Sequence, residues 1–447
     1  MKQGLEINRV RTILCTLALA CYAQATEAAA PQPYVRQAAT CDGFPRIGIG
    51  MAQAFCAGLV TAPQDGAFRS RLLKTPRMLF QLEGTNRWLV TDLGGWTAGC
   101  GKVWLMEVGM PGEAHLKPLL TGLTLPHTIA AGPDGNVYVA EMNRIFRLDV
   151  ESGAATTVVD GLPGNRLHIG RHPLSHFVFD GNGDLLVNVG ADTDQCANKA
   201  TAPSTATCPE ANADAARAVI RRYRNLGGGQ WEQRPTIVAR GLRNSLVLIR
   251  HTSGTLLQGE NSFDFAPSSD LPYDEINVIR QGANYGWPYC YDTDQPTPAW
   301  ASMKALDCGS SAHEKPAALL PPHSAPLGAV YYSGAMFPAL EGKLLMSWHG
   351  YRPAGSRIVA FDVDAKGVPV TAANPRYPEY EAGGRITLKS YRPGAAAEPT
   401  VLTPGWDLKA AERPAGAPVG ITIARDGAIW VADDRNAAIV RIAVDRP

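Results

Sequence analysis

The stretch PVGITIARDGAIWVADD, Pro418–Asp434, decides how the rest of the chain is read. An apolar run reaches Asp426-Gly427, a dipeptide suited to a tight reversal, and Ile429-Trp430-Val431 leaves it with β-branched and aromatic residues. That is a β-hairpin, and one hairpin cannot bury its own face in water. The unit recurs in NRWLVTDLGG from Asn86, PHTIAAGPDGNVYVAEMNRIFRLD from Pro126 and HFVFDGNGDLLVNVG from His176. It returns in RNSLVLIRHTSGTLLQGENS from Arg243 and EGKLLMSWHG from Glu341. Asp134-Gly135 and Gly183-Asp184 mark the turns of the two other clear copies. Repeated hairpins that each need neighbours are the signature of radially packed sheets. The expectation is an all-β, six-bladed β-propeller with four-stranded antiparallel blades. The early intervals suit compact blades, and the later ones are long enough to carry inserted loops.

Composition agrees with that reading. Gly 45 and Pro 34 make up nearly a fifth of 447 residues without a strict period, which excludes collagen and favours many turns. Hydrophobic residues at 45% and charged residues at 19% exclude a chain that is disordered or membrane-embedded throughout. Forty-two Lys and Arg against 41 Asp and Glu leave no electrostatic footprint for nucleic acid. No G-x-G-x-x-G follows a strand, so a nicotinamide-binding domain is not expected. Ala211 to Arg222 reads as a short helix or a loop, and Thr193–Asn212, Tyr289–Ala325 and Pro369–Glu412 read as loops.

The first 25 residues read as a secretory signal. Lys2, Arg9 and Arg11 precede an apolar run from Ile13 to Tyr22, and Ala23-Gln24-Ala25 supplies a small-x-small cleavage site. The run is about half the roughly 20 residues that a membrane-spanning helix needs. Lipid attachment at Cys21 is the competing reading. Residues 26–447 then form a single propeller domain with a net charge of −1 in a periplasmic or secreted location. Export favours disulfides for the seven remaining cysteines, because no C-x-x-C or zinc-type spacing occurs. Cys196 with Cys208 and Cys290 with Cys308 would each staple one loop. A third bridge would come from Cys41, Cys56 and Cys100, with one of these left over. The missing C-x-x-C-H also excludes a covalently attached c-type haem.

Histidine is well suited to accept a proton from an alcohol near neutral pH. His168, His172 and His176 are spaced by four in LHIGRHPLSHFVF, but Gly170 and Pro173 argue against a helix and hence against a three-histidine metal site. A loop presenting one histidine at a blade entrance fits better. Arg243-Asn244 joins a planar cation to an amide, suited to holding carboxylates or polarising a carbonyl. Glu260, Asn261, Asp264, Asp270, Asp274 and Glu275 form an oxygen-rich stretch compatible with Ca²⁺ but without EF-hand spacing.

These motifs resemble the secreted glucose/sorbosone dehydrogenases that depend on pyrroloquinoline quinone (PQQ). The resemblance lies in DEINVIRQGANYGWP (Asp274–Pro288), in GLRN (Gly241–Asn244) before it, and in HPLSHFVFDGNGDLL from His172. It extends to PHTIAAGPDGNVYVAEM and the Pro418 hairpin. CDGFPRIGIGMAQAFCAGLV from Cys41 and VTDLGGW (Val90–Trp96) look closest to the sorbosone branch. The resemblance implies a six-bladed propeller that holds PQQ and Ca²⁺ above its channel and oxidises an aldose or related sugar or aldehyde. Electrons would pass to an external acceptor, a quinone or a cytochrome. By position His172 matches the general base, and Asp192 would sit beside it and orient its ring. Arg243 matches the residue that polarises the quinone oxygen, and Asn244 a cofactor contact. Main-chain oxygens near Asn261, Ser262 and Phe263 would hold Ca²⁺, a Lewis acid on the cofactor. His323 in PHSAPLG would line the substrate pocket.

The sequence departs from the family at four places. Ser245-Leu246 follow Arg243-Asn244 where the family commonly has Pro-Gln, and Ser262-Phe263 replace Gly-Pro at the calcium position. Ala417 stands where an arginine often precedes Pro-Val-Gly, which leaves Arg413 to reach that space. No lysine matches near EGKLLMSWHG, which leaves Arg352 or Arg357. PQQ carries three carboxylates, so missing cations bear directly on its binding. A PQQ-free extracytoplasmic binding protein of the same ancestry is therefore the alternative. A metal-dependent lactonase would need several channel carboxylates that the sequence does not obviously supply.

Overall fold

A computed structural model describes residues 34, 36–61, 72–109, 114–163, 167, 172–196, 208–212, 217–265, 271–302, 306–350, 352, 354–380, 386–404, 406 and 416–446. The leader, Cys21, His168 and Arg413 lie outside the described residues.

The stretches from Pro126, His176, Arg243 and Pro418 hold the first two strands of their blades, whereas those from Asn86 and Glu341 hold the second strand alone. Blade I runs Pro76–Gln81, Arg87–Asp92, Gly101–Val108, Ala114–Leu123. Blade II follows as Ile129–Ala131, Val137–Glu141, Arg144–Leu148, Ala155–Val159. Blade III comprises Phe177–Phe179, Leu185–Val189, Val219–Tyr223 and Thr236–Arg240, with Ala283–Asn284 added in parallel as a fifth strand. Ser245–Arg250, Leu256–Glu260, Tyr273–Val278 and Ala318–Pro322 form blade IV. Blade V contains Pro326–Tyr331, Leu344–Trp348, Arg357–Phe361 and Thr400–Val401. Blade VI takes Pro418–Ile423, Ile429–Asp433 and Ala438–Val444 from the carboxyl end of the chain.

The fourth strand of blade VI is Phe55–Leu59, which pairs Phe55 with Val444 and Leu59 with Val440. Two more strands, Phe44–Ile47 and Arg36–Cys41, extend that sheet outward. The two ends of the chain thus share one blade, and the ring has no open first or last sheet edge at the join.

The turns follow the chemistry of their residues. Asp426 Oδ1 accepts the Ala428 N–H at 3.0 Å, and Gly427 has φ +84°. A Cβ there would also lie 2.6 Å from Met336 N, so glycine is required twice over. Apolar faces meet between blades, and Trp88 of blade I stacks on Trp430 of blade VI with ring centroids 4.2 Å apart. A smaller apolar group, Leu93, Leu125, Leu174, Leu246, Leu327 and Val419, takes one side chain from each blade. Leu246, one of the family departures, belongs to this collar.

Inserted segments lengthen the later blades, as the spacing implied. Asn225–Gly227 pairs with Gln230–Trp231, Cys290–Tyr291 with Gln295–Pro296, and Arg376–Tyr380 with Ile386–Ser390. The three segments read as loops therefore carry some regular structure. Pro209–Asn212 is a single helical turn and Val219–Tyr223 is a strand, so the end of the Ala211–Arg222 stretch is sheet rather than helix or loop, and 213–216 lie outside the described residues. Cys196–Cys208 and Cys290–Cys308 are bridged as anticipated, and the third bridge is Cys41–Cys56. Cys100 is itself disulfide-bonded, which corrects the expectation that one of Cys41, Cys56 and Cys100 is left over. No helix among the described residues is long and apolar enough to cross a membrane.

Candidate active site

The site grows from a device that recurs where the second strand of a blade ends. In four blades a carboxylate there accepts a main-chain N–H from the segment that leads into the first strand. Asp92 takes Thr75 N at 2.7 Å, Glu141 takes Thr124 N at 2.6 Å, Glu260 takes Asn244 N at 3.0 Å and Asp433 takes Ala417 N at 3.1 Å. Each bond gives an entering N–H the partner that the sheet ladder does not supply.

Blades III and V differ. In blade III the His172 Nδ1 lies 2.7 Å from the Ala191 carbonyl oxygen, and the Ala191 N–H donates to Arg243 O at 2.8 Å. A Cβ on Gly190 would stand 2.6 Å from His172 Cβ, so the histidine packs directly on bare backbone. In blade V the His349 N–H donates to Ala325 O at 3.0 Å, and its ring Nε2 lies 3.0 Å from Asp434 Oδ1. Arg77 Nη1 reaches the same carboxylate at 2.6 Å. Burial opposes ionisation of Asp434, but His349 and Arg77 overcome it and hold the carboxyl below its usual range.

The residues singled out in blades III to V form one bonded chain. Arg243, 4% exposed, donates through Nη1 to Asn261 O at 2.8 Å, and its Nη2 lies 2.7 Å from Asp194 Oδ1 and 3.3 Å from Asp264 Oδ2. Asn244 hangs from Glu260, whose carboxyl burial pushes up to about 7. Ser262 N donates to Asp274 Oδ1 at 2.8 Å, while Ala325 N at 2.6 Å and Ser324 Oγ at 3.1 Å donate to Asp274 Oδ2. Burial raises the Asp274 pKa against these bonds and the nearby His323. His323 has φ +56°, and Gly350 abuts its carbonyl so closely that a Cβ would lie 1.9 Å from the oxygen. Phe263 is buried and stacks on Phe265 at 5.2 Å.

Other expected residues fall elsewhere. The Asp192 carboxylate pairs with Arg217 Nε at 2.6 Å, and the His172 Nδ1 meets the carbonyl one residue earlier. Arg352 is exposed. Arg357 is buried, with Nε donating to Gly355 O at 3.1 Å and Nη1 to Pro378 O, so its cation is anchored to backbone. Ala417 is buried against Asp433.

Sequence reading missed Asp194. Its Oδ1 contacts Arg243 and accepts the Asp264 N–H at 3.0 Å, and its carbonyl accepts Trp287 Nε1 at 2.9 Å. The signal was present, since Asp194 belongs to GADTD beside Asp192, and Trp287 belongs to NYGWP.

Among the described residues, three buried polar atoms along this line of contacts have no hydrogen-bond partner: Arg243 Nε, Asn261 Oδ1 and His323 Nε2. They supply a donor, an acceptor and an imidazole nitrogen, a set that fits a ligand with both polar functions. For a cation, the unpartnered Asn261 Oδ1 is a suitable oxygen, whereas the Asn261 main-chain oxygen is already engaged by Arg243.

Comparison with known proteins supports the family reading. Residues 154–373 match the family model described as Glucose / Sorbosone dehydrogenase. An uncharacterised protein of Borreliella burgdorferi is 31% identical over 138 residues, covering 29% of this chain and 35% of that protein. The chain thus spans about a third of the length of that relative. Among solved structures, a Carbohydrate-Active Enzymes Family AA12 protein of Trichoderma reesei superposes with TM-score 0.62 at 17% identity, over 92% of this chain and 100% of its own. The PQQ domain of pyranose dehydrogenase from Coprinopsis cinerea gives TM-score 0.58 at 19% identity, over 93% and 98%. The PQQ-bound aldose sugar dehydrogenase of Streptomyces coelicolor gives 0.52 at 17% identity, over 89% and 100%. These structural likenesses establish a common fold.

Proposed function

We propose that this chain, a six-bladed propeller resembling the glucose/sorbosone dehydrogenases, oxidises an aldose or related sugar or aldehyde outside the cytoplasm with PQQ and Ca²⁺. The observation that carries the reading is the bonded chain through Arg243, Asn261, Asp274 and the His323 loop, with its three unpartnered buried polar atoms. His172 joins that chain through Ala191. The sorbosone branch, the leader of residues 1–25, the periplasmic location and the external acceptor belong to the same proposal.

His172 is the general base. With Nδ1–H donated to the Ala191 carbonyl, the neutral ring carries its lone pair on Nε2, the atom that takes the hydroxyl proton. Asp192, held by Arg217, lies one residue from that carbonyl, where the family resemblance puts the carboxylate beside the base. Arg243 and Asn244 hold the cofactor; the Arg243 guanidinium, fixed by Asp194 and Asp264, places donors where negative charge develops. Asn261 Oδ1 and the main-chain oxygens of Ser262 and Phe263 would hold Ca²⁺, and His323 would line the sugar pocket. Arg352 and Arg413 are the remaining cations for cofactor carboxylates. When bound, PQQ supplies the carbon that accepts hydride, and Ca²⁺ draws electron density from it. The aliphatic collar, with Leu246 among its members, would keep water from the base of the site.

The alternative, a PQQ-free binding protein, draws on one observation: two carboxylates already neutralise Arg243. Adding PQQ and Ca²⁺ to the purified apoprotein distinguishes the two. A dehydrogenase changes the PQQ absorption spectrum on binding and reduces an artificial dye with at least one aldose of a panel. No spectral change and no turnover would assign the binding role.

A further inference from the structure

The loops that follow Leu185–Val189 in blade III and Tyr273–Val278 in blade IV are joined beside Arg243. Each has a bridge of its own, Cys196–Cys208 in the first and Cys290–Cys308 in the second. Two buried tryptophans of the blade IV loop bond consecutive carbonyls of the blade III loop. Trp287 Nε1 donates to Asp194 O at 2.9 Å, and Trp300 Nε1 donates to Gln195 O at 3.0 Å. The Tyr289 hydroxyl accepts the Cys208 N–H at 2.8 Å, at the other end of the bridge. Cys208, Phe263, Trp287 and Trp300 share one apolar cluster, and hydrogen bonds made in such surroundings are stronger than at a wet surface.

The blade III loop is also tied to itself on both sides of Asp194. Glu210 accepts the Asp192 N–H at 2.7 Å and the Thr193 hydroxyl, and Thr193 Oγ1 accepts the Cys196 N–H at 2.8 Å. Cys196 has φ +55°, a left-handed backbone that a residue with a side chain keeps only where its surroundings impose it. Asp194 lies between these anchors, and its Oδ1 stands 2.7 Å from Arg243 Nη2. Asp264, the other carboxylate on that nitrogen, stands at 3.3 Å with a side chain 61% exposed, against 12% for Asp194. Solvent screens the exposed partner more, so the shorter and more buried contact dominates the orientation of the guanidinium.

We propose that Asp194 is a positioning residue for Arg243, and that Trp287, Trp300 and the Cys196–Cys208 bridge form the clamp that sets it. Arg243 Nη1 is spent on Asn261 O at 2.8 Å, and Asp194 fixes the Nη2 end, so the guanidinium has one orientation in which to meet a ligand. Naming that ligand as PQQ rests on the dehydrogenase reading; the clamp itself does not. A countercharge alone would need only a carboxylate nearby. The two indoles instead hold the main chain on each side of the Asp194–Gln195 peptide, which fixes where the carboxylate points.

Titration of PQQ into Ca²⁺-loaded protein, followed by absorbance, separates position from charge. Asp194→Asn and Asp194→Ala both remove the charge, but only the asparagine keeps an acceptor for Arg243. The Kd should rise about tenfold in Asp194→Ala and stay within about threefold of wild type in Asp194→Asn. Trp300→Phe, which keeps a ring but loses the donor to Gln195 O, should weaken binding in the same direction; an unchanged Kd would remove the tryptophan from the clamp. Tighter binding by both Asp194 variants would make the residue a countercharge, and a lower urea midpoint with an unchanged Kd would make it structural only. Either result overturns the proposal. If the wild type binds no PQQ, the dehydrogenase reading fails by itself, and crystal structures of the apoproteins still decide the positioning. Arg243 should keep its bond to Asn261 O in wild type and Asp194→Asn and leave it in Asp194→Ala, whereas an unmoved guanidinium in Asp194→Ala would overturn the proposal.

Discussion

Blade VI and blade III use the same place in the ring for different ends. In blade VI the fully buried Asp433 accepts N–H groups from Ala417 at 3.1 Å, Arg435 at 3.1 Å and Asn436 at 3.2 Å. The corresponding strand of blade III ends without an acid, and a histidine entering from the other side meets the Ala191 carbonyl. One carboxylate ties three backbone donors together and leaves little capacity for chemistry. One imidazole is anchored through Nδ1 to a backbone carbonyl, which directs its other nitrogen to the proton transfer proposed above. Substituting one position should therefore cost stability, and substituting the other should cost turnover.

Two substitutions can break that contrast. The largest effect is expected at His172: His172→Ala should lower kcat 10²- to 10⁴-fold, the usual contribution of a positioned base, with little change in the urea midpoint. Retained turnover within about tenfold would remove the base assignment. Next comes Asp433→Ala, which strands several buried N–H groups and should cost about 3 kcal/mol in urea unfolding, while kcat per folded molecule falls less than tenfold. A variant as stable as the wild type would show that the carboxylate is not a lock.

Asp292, beside the site loop, sharpens the comparison through pH. Burial pushes its carboxyl up to about 7, against the Tyr273 N–H and Arg392. Folding favours its neutral form, so its contribution is full below the ordinary carboxylate pKa and is lost as pH rises through 7. The stability of wild type relative to Asp292→Asn should fall by about 3 kcal/mol between pH 4 and pH 8, measured by urea midpoints. A flat difference would contradict the shift. The smallest effect belongs to the exposed pair Arg280–Glu314, whose Nη1 and Oε2 lie 2.7 Å apart. Glu314→Gln should change stability by less than about 1 kcal/mol.

Asp-Gly turns and alternating strands are local, so the six hairpins could be read from the sequence, and their repetition implied the ring. The closing strand Phe55–Leu59 was not legible, because its partner Ala438–Val444 is almost the whole chain away. The same limit applies to Cys100, since composition and spacing do not pair distant cysteines. At the candidate site, His172, Arg243, Asn261 and Ser262 were singled out by motif resemblance, and the fold places them along one line of contacts. The line could not be traced from sequence, because its links run through main-chain atoms such as Ala191 O and Asn261 O, which carry no residue signature. Asp192 and Asp194 show the same difficulty at short range. Both lie in GADTD, where no strand period separates them, and only Asp194 turns to Arg243.

The central claim is that His172 takes the sugar hydroxyl proton as hydride passes to bound PQQ. Stopped-flow absorbance after mixing an aldose with PQQ- and Ca²⁺-loaded protein tests it most directly, comparing wild type with His172→Ala. The account predicts cofactor reduction by the wild type that slows at least about a hundredfold in the variant, with PQQ still bound. Equal reduction rates in the two proteins, or no reduction by any aldose in the wild type, would contradict it.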